Sequence, residues 1–467
     1  MSAAAAPGGA GGATVATEAL AHRRKPLSNF TSDVAGALPG PDWLRRRRLG
    51  ALERFQAAGL PSESEEIWRY SRIDNLDLDR FAPATPRGAD GPSGVPSGAA
   101  DSHLGEVMEA LGDRSALVLV GPDGSVEADV ARTVASQGVT VGLLSEHPEG
   151  AELLGAIAGG AGAKGADVFV DLATAFASDA VVVDVPAGVS LEAPVLVGHW
   201  YAGAAVAHFP RTVVRLGPGA RASVVEHLSS SQDDVLCCPV VELDVGDGAA
   251  LDYTSIQRLG SRAWQLGYQG SRVGRDASLR SLAAALGGYY ARLRTDSHLV
   301  AAGGSAQLMA LYFGDHQQMH DFRTLQEHAA PKTTSDLLFK GAARDEARGV
   351  YSGLIRVRKG AAGTNAFQTN RNLVLSEGAH AESVPNLEIE ENDVRCSHAS
   401  AVGPVDEDQR YYLESRGIPP EVADRLIVLG FFDDLLARSP VPALRQPLRR
   451  VVAEKASAPA PSGGNDR

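Results

Sequence analysis

The chemically most suggestive pair in the 467-residue sequence is a thiol and an imidazole two positions apart, Cys396 and His398. They lie in the stretch Pro385 to Ile418, whose first half alternates like a strand, with Leu387 and Ile389 on one side and Glu388 and Glu390 on the other. Glu391-Asn392-Asp393 then turns the chain. Val394, Cys396 and His398 fall on one face of the next strand, because strand side chains alternate with period two. At the usual rise per residue the thiol and the imidazole are about 7 Å apart along it. Both are borderline-to-soft metal ligands, and two on one rigid strand make half a coordination site. The other half has to come from elsewhere. The competing reading makes Cys396 a small core residue and His398 its hydrogen-bonded neighbour, since free cysteine is among the most buried residue types.

A second cluster, His316, His320, His328 and Asp321, crowds the run from Asp315 to Gly341. His316 and His320, four apart, would share a face and bind metal if this run were helical; otherwise they are polar residues on an insertion between strands. No carboxylate pair can be assigned as acid and base from spacing alone. The sequence has no GxxxxGK[ST], no strand–GxGxxG–helix unit and no GxSxG elbow, which argues against nucleotide hydrolysis, dinucleotide chemistry and an α/β-hydrolase. No nucleotide is expected to bind this chain.

The net charge of −13 argues against nucleic acid or an anionic membrane as the main partner. Three cysteines, two of them adjacent (Cys237 and Cys238), make no disulfide framework and point to a reducing compartment. Both adjacent cysteines precede the apolar Val240-Val241 and read as core. No apolar run approaches the roughly 18 residues of a spanning helix, and no signal peptide is recognised. The expectation is a cytoplasmic protein.

The elements that must position Cys396 and His398 begin after a low-complexity Ala/Gly segment, residues 1–25, expected to be disordered. A mixed, mainly helical region follows over 26–165. In it Asp42 to Leu60 reads as an amphipathic helix, Pro61 to Glu66 as a second helix start, and Trp68 and Tyr70 as packing residues. Residues 83–100 are a Pro/Gly linker, and Ser115 to Val126 reads as a strand and a turn. From 166 to 405 short alternating strands are separated by Gly- or Asp-bearing turns, and those at Gly219, Gly248 and Asp276 recur every 28–29 residues. That period favours a parallel β-helix, or solenoid, over a β-sandwich. Residues 406–456 return to helix: Gln409 to Arg416 is opened by acids and stopped by Gly417. Pro419, Val422, Leu426, Leu429 and Phe432 follow at helical spacing, either closing the solenoid or docking a partner. Residues 457–467 are read as a disordered tail.

The run Asp321-Phe322-Arg323-Thr324, His328, Pro331-Lys332-Thr333-Thr334-Ser335, Lys340-Gly341, YSGLIRV and TNAFQTNRNLVLSEGAHAESVPNLEIEENDVRCSHASAVGPVDEDQRYYLESRGI resembles the SufB/SufD family of the Suf iron–sulfur cluster assembly machinery. The resemblance is strongest over about 310–436 and reaches back weakly to the EEIWRYS segment. CSHA before DEDQ looks like SufD. SufB is expected to carry a cysteine after its matching RN pair, where this chain has Leu375-Ser376. The resemblance implies a right-handed parallel β-helix flanked by helical regions, pairing with a SufB-like paralogue, and docking of a SufC-like ATPase on the C-terminal helices. It implies a transient iron–sulfur cluster or iron shared with SufB, with His398, beside Cys396, as a ligand. It leaves open whether a reduced flavin takes part on the complex. The function implied is that of a non-catalytic scaffold. Alternatives are a SufB-type primary scaffold, a β-helix carbohydrate-active enzyme, and a homodimer joining two copies of the Cys396/His398 strand.

Overall fold

The computed structural model describes residues 27–85, 102–158 and 167–457. The expected unstructured ends and nearly all of the linker at 83–100 lie outside the described residues. Two helices open the chain, α1 (Ser32–Ala37), capped by Thr31 on the Val34 N–H, and α2 (Asp42–Ala58). α2 buries Leu44, Ala51, Leu52 and Phe55. The second helix expected from Pro61 does not form. Ser62, Ser64 and Glu65 turn their side chains onto local backbone N–H groups or onto each other instead, leaving only a single 3₁₀ turn at Glu66–Trp68. Trp68 is buried as expected, whereas Tyr70 is exposed, with a left-handed backbone (φ 64°) that ends the turn.

Helix α3 (Ser102–Leu111) precedes a hairpin of β1 (Ala116–Val120) and β2 (Val126–Val130), then β3 (Thr140–Leu143) and α4 (Val168–Phe176). Two short strands (Val206–His208 and Val235–Cys237) apart, sixteen strands follow in eight successive pairs. They are β4 (Val181–Val185), β5 (Val195–Tyr201), β6 (Arg211–Leu216), β7 (Arg221–Ser230), β8 (Val240–Val245), β9 (Ala250–Arg258), β10 (Trp264–Val273) and β11 (Ser278–Ala285). The series continues with β12 (Tyr290–Leu299), β13 (Ser305–Gly314), β14 (Met319–His328), β15 (Thr334–Ala343), β16 (Arg348–Val357), β17 (Thr364–Val374), β18 (His380–Ile389) and β19 (Val394–Gly403). Even-numbered members from β4 to β18 stack in parallel into one sheet, and odd-numbered members from β5 to β19 into the other. Each coil contributes one strand to each sheet. This is a parallel β-solenoid of about eight turns, and it rules out the sandwich.

The reason for the fold is visible in its rows. Ala222, Leu251, Leu279, Ala306, Ser335, Ala366 and Cys396 are successive register partners on the second sheet. Such inward rows bury Val183, Val214, Leu243, Val273 and Leu337 completely or nearly so. Each fully buried aliphatic side chain is worth roughly 1.5–3 kcal/mol, but only once a neighbouring coil covers it. A second ladder runs along one corner. Gly188, Gly219, Gly248, Asp276, Gly303, Lys332 and Gly363 all have positive φ, and each donates its N–H to a carbonyl of the next coil. The turns expected at Gly219, Gly248 and Asp276 are therefore stacked turns.

The chain ends in α5 (Glu407–Ser415), capped by Asp406, α6 (Pro420–Ala437) and α7 (Arg445–Ser457). These do not close the end of the solenoid. Leu429, Phe432, Leu435, Leu444 and Leu448 pack against Leu282, Met309 and Phe313 on the outer face of the second sheet, together with Leu104 of α3. Among the described residues no helix is long and apolar enough to cross a membrane.

Candidate functional site

Because the helices lie along the flank, the last coil is left uncovered. β18 and β19 are the terminal strands of their sheets, each paired on one side only. β19 carries both ligand candidates. Cys396 pairs with Ala366, is half-buried, and packs against Ile355, Val357, Ala361 and Ala366. His398 continues the neighbouring inward row, Leu308, Leu337, Gln368, and is exposed because no further coil covers it. The alternation read in the sequence is correct: thiol and imidazole share the inward face of the last coil, at its open end.

Two features tune this edge. Burial pushes the Cys396 thiol up from its ordinary value, against a smaller opposing effect of a backbone hydrogen bond with Ala366. The resting group is therefore a neutral thiol, which could bind a cation only by giving up its proton. Beneath His398, Gln368 is fully buried and neither its Oε1 nor its Nε2 has a hydrogen-bond partner. A buried unpaired amide is costly, and this one faces the row that ends in His398. Sequence reasoning missed Gln368. The available signal was its place 30 residues before His398, one coil earlier.

Around the pair the open end is apolar. Leu387, Ile389 and Val402 are large hydrophobic side chains there, 37%, 43% and 45% exposed, whereas the exposed Phe367 and Val384 belong to the outer faces. Leu387 and Ile389 continue the inward row that buries Ile355 and Val357 one coil earlier. Glu388 points the other way, to Arg356 at 2.8 Å, so it belongs to the outer face and not to the Cys396/His398 face.

The second histidine cluster does not assemble. The run is strand and turn, not helix, so His316 and His320 share no face. His316 sits at a left-handed turn (φ 51°) with an exposed ring, while His320 is buried inside β14 with its ring on the Gly287 carbonyl. His328 is bonded to the Thr333 and Ser335 hydroxyls inside the solenoid. Asp321 is buried on the outer face with Arg323 and Tyr290. No group of three or more His, Cys, Asp or Glu side chains among the described residues is arranged to hold a metal. Cys237 and Cys238 are fully buried, as expected for core, and burial raises both thiols.

The docking candidates divide. Leu429 and Phe432 face the solenoid and are spent on the chain's own core. Pro419 and Leu426 are exposed and Val422 is half-buried. Tyr411 and Tyr412 of α5, 73% and 57% exposed, extend that apolar surface and were not singled out from the sequence.

Comparison with known proteins agrees with this architecture. Residues 199–431 match the family described as SUF system FeS cluster assembly, SufBD core domain, and residues 114–197 match the SufBD protein N-terminal region. An iron–sulfur cluster assembly SufBD family protein of Mycobacterium tuberculosis is 41% identical over 220 residues, 45% of this chain and 55% of the relative. The chain thus spans little more than half the length of that relative. The iron–sulfur cluster assembly protein SufD of Escherichia coli is 28% identical over 394 residues, covering 82% of this chain and 86% of the relative. SufD of Bacillus subtilis is 28% identical over 274 residues, 58% and 63% of the two chains. With both family regions contiguous along the solenoid and its N-terminal approach, the chain belongs to the SufB/SufD family.

Proposed function

We propose that this chain is a SufD-type, non-catalytic scaffold subunit that pairs with a SufB-like paralogue and docks a SufC-like ATPase. The observation that carries the reading is the position of Cys396 and His398 in the inward rows of an uncovered terminal coil that also exposes Leu387, Ile389 and Val402. Two unpaired sheet edges and an apolar end are a surface that a second solenoid would continue. The pairing brings the missing ligands to a half-site, and iron or a nascent cluster is held there as cargo. Few ligands from each side suit a cluster that must leave again.

The ATPase would sit on the exposed surface of α5 and α6, around Tyr411, Tyr412 and Leu426. The buried Lys340 ammonium on β15 bonds the Phe431 carbonyl at 2.6 Å and pairs with Asp434, so α6 is tied to the coil stack that ends in β19. A shift of α6 driven by ATP would reach the open end through that tie.

The test is a double dissociation in co-purification with both partners. Ile389→Asp, at an exposed position of the open end, is expected to lose the SufB-like chain and keep the SufC-like one. Leu426→Asp is expected to do the reverse. Retention of both partners by both variants would reject the assignment of the two surfaces.

A further inference from the structure

The outer face of the first sheet carries a cleft that contains neither Cys396 nor His398. Its volume is about 400 Å³, against about 50 Å³ for the cavity beside His199 and Tyr201. That is within the size range of small-molecule sites, roughly 300–1,000 Å³. The floor is formed by outward-facing residues of β12, β14 and β16, and Glu66 and Ile67 form one wall. Four arginines line it: Arg292, Arg294, Arg323 and Arg356.

Register explains the crowding. Arg294 and Arg323 are direct partners on neighbouring parallel strands, so two guanidinium stems leave the same face about 4.8 Å apart. Like charges in that relation repel unless countered, and here acids counter them. Asp296 takes Arg294 (2.9 Å), Asp321 takes Arg323 (2.6 Å), Glu388 takes Arg356 (2.8 Å), and Asp167 takes Arg292. Glu66 stands at the rim. In charge the cleft is nearly balanced.

In hydrogen bonding it is not. Each guanidinium has five N–H donors and no acceptor. Asp321 takes Nε and Nη2 of Arg323, and Nη2 also reaches the Arg69 carbonyl at 2.7 Å. Glu388 takes Nε and Nη2 of Arg356. In both arginines the Nη1 edge remains. Arg292 is 1% exposed, stacked 3.8 Å over Trp68, and its buried Nε has no partner. A half-open cleft with surplus donors takes an acceptor-rich ligand, and arginine edges suit planar carboxylate or phosphate oxygens. Ile67, Leu325 and Leu354 supply apolar wall beside them.

We propose that this cleft binds a small organic oxyanion, carboxylate or phosphate, with an apolar body. The proposal rests on the cleft alone and is independent of the cluster-assembly reading. The alternative use of these arginines is purely architectural, tying Asp167 and the Arg69 carbonyl to the sheet.

The two uses separate in a titration of the full chain at low ionic strength with phenyl phosphate, with phthalate, and with benzyl alcohol as the uncharged control. Binding is followed by calorimetry and by tryptophan emission, to which Trp68, stacked on Arg292, contributes. Saturable one-to-one binding of at least one anion and none of benzyl alcohol is expected, the preferred anion telling phosphate from carboxylate. Arg356→Gln, which leaves only the half-exposed Glu388 unpaired, is expected to weaken binding about tenfold. Leu354→Trp, which fills the cleft and removes no charge, is expected to abolish it. Thermal melts of both variants close to wild type keep the comparison valid. No saturable binding by either anion, or binding unchanged in both variants, would overturn the proposal.

Discussion

Gln368 is a buried polar side chain that stability alone does not explain. Its buried amide has no partner, yet it lies directly beneath His398 in the same inward row. Replacing it with leucine removes an unpaired polar group and continues the Leu308–Leu337 row. Gln368→Leu should therefore raise the stability of the isolated chain by roughly 1–3 kcal/mol in urea denaturation. If Gln368 orients the His398 ring or its cargo, the same variant should retain less iron in the assembled complex. Unchanged stability would mean the amide finds water in the open end.

Other buried histidines set a pH limit. Burial lowers His208, His320 and His328 from an ordinary 6.5 to about 4. Around His320 stand Lys455, which also disfavours the charged ring, and Asp315, which favours it. The unfolded chain takes up protons near pH 6.5 and the folded chain only near 4. This contribution to stability is complete above about 6.5 and is lost as pH falls toward 4. Between pH 7 and pH 5 the loss should be on the order of 1–2 kcal/mol per histidine. Denaturation midpoints at the two pH values check this, and His320→Gln should reduce the dependence.

At the scale of elements, the corner ladder holds two of the non-glycine residues with left-handed backbone, Asp276 and Lys332. Gly219 has φ 70° and nothing within 4 Å of where a Cβ would stand, so Gly219→Val tests conformation alone. It should cost about 1–2 kcal/mol. Lys332 holds the equivalent position at φ 59°, and Lys332→Gly should be neutral or stabilising by less than about 1 kcal/mol, since relieved strain is offset by the unfolded chain's added freedom. Paired denaturation curves decide it, and equal losses in both variants would contradict the ladder.

The same ladder marks how far the sequence can be read. Gly219, Gly248 and Asp276 were legible because their residue types favour left-handed turns, and their spacing is the coil length. Lys332 was not, because a lysine gives no such signal. Cys396 and His398 were legible as one strand face, but alternation does not say which face is inward or that the strand is terminal. The spacing of four could join His316 and His320 only on a helix; the coil period continues through that run and puts one at a turn and the other on an inward strand position. Helical spacing grouped Leu426 with Leu429 and Phe432, yet both sides of α6 carry apolar residues, so only packing separates the buried side from the exposed one. The arginine cleft follows the coil period too: Arg294 and Arg323 are one coil apart in register.

At the scale of the molecule, the solenoid has one flank occupied by α6 and α7, another by the N-terminal helices, and one uncovered end. Repeats of this kind are normally protected at their termini, so the apolar terminal coil bearing a thiol and an imidazole is the end that the proposed partner would cover. The central claim is that His398 holds cargo there. The most direct measurement is the iron and sulfide retained by the complex of this chain with its SufB- and SufC-like partners, as wild type and as His398→Ala. The account expects an intact complex that loses most of its iron and sulfide in the variant. An intact, fully loaded variant complex would contradict it, and would leave His398 as no more than the last residue of a structural row.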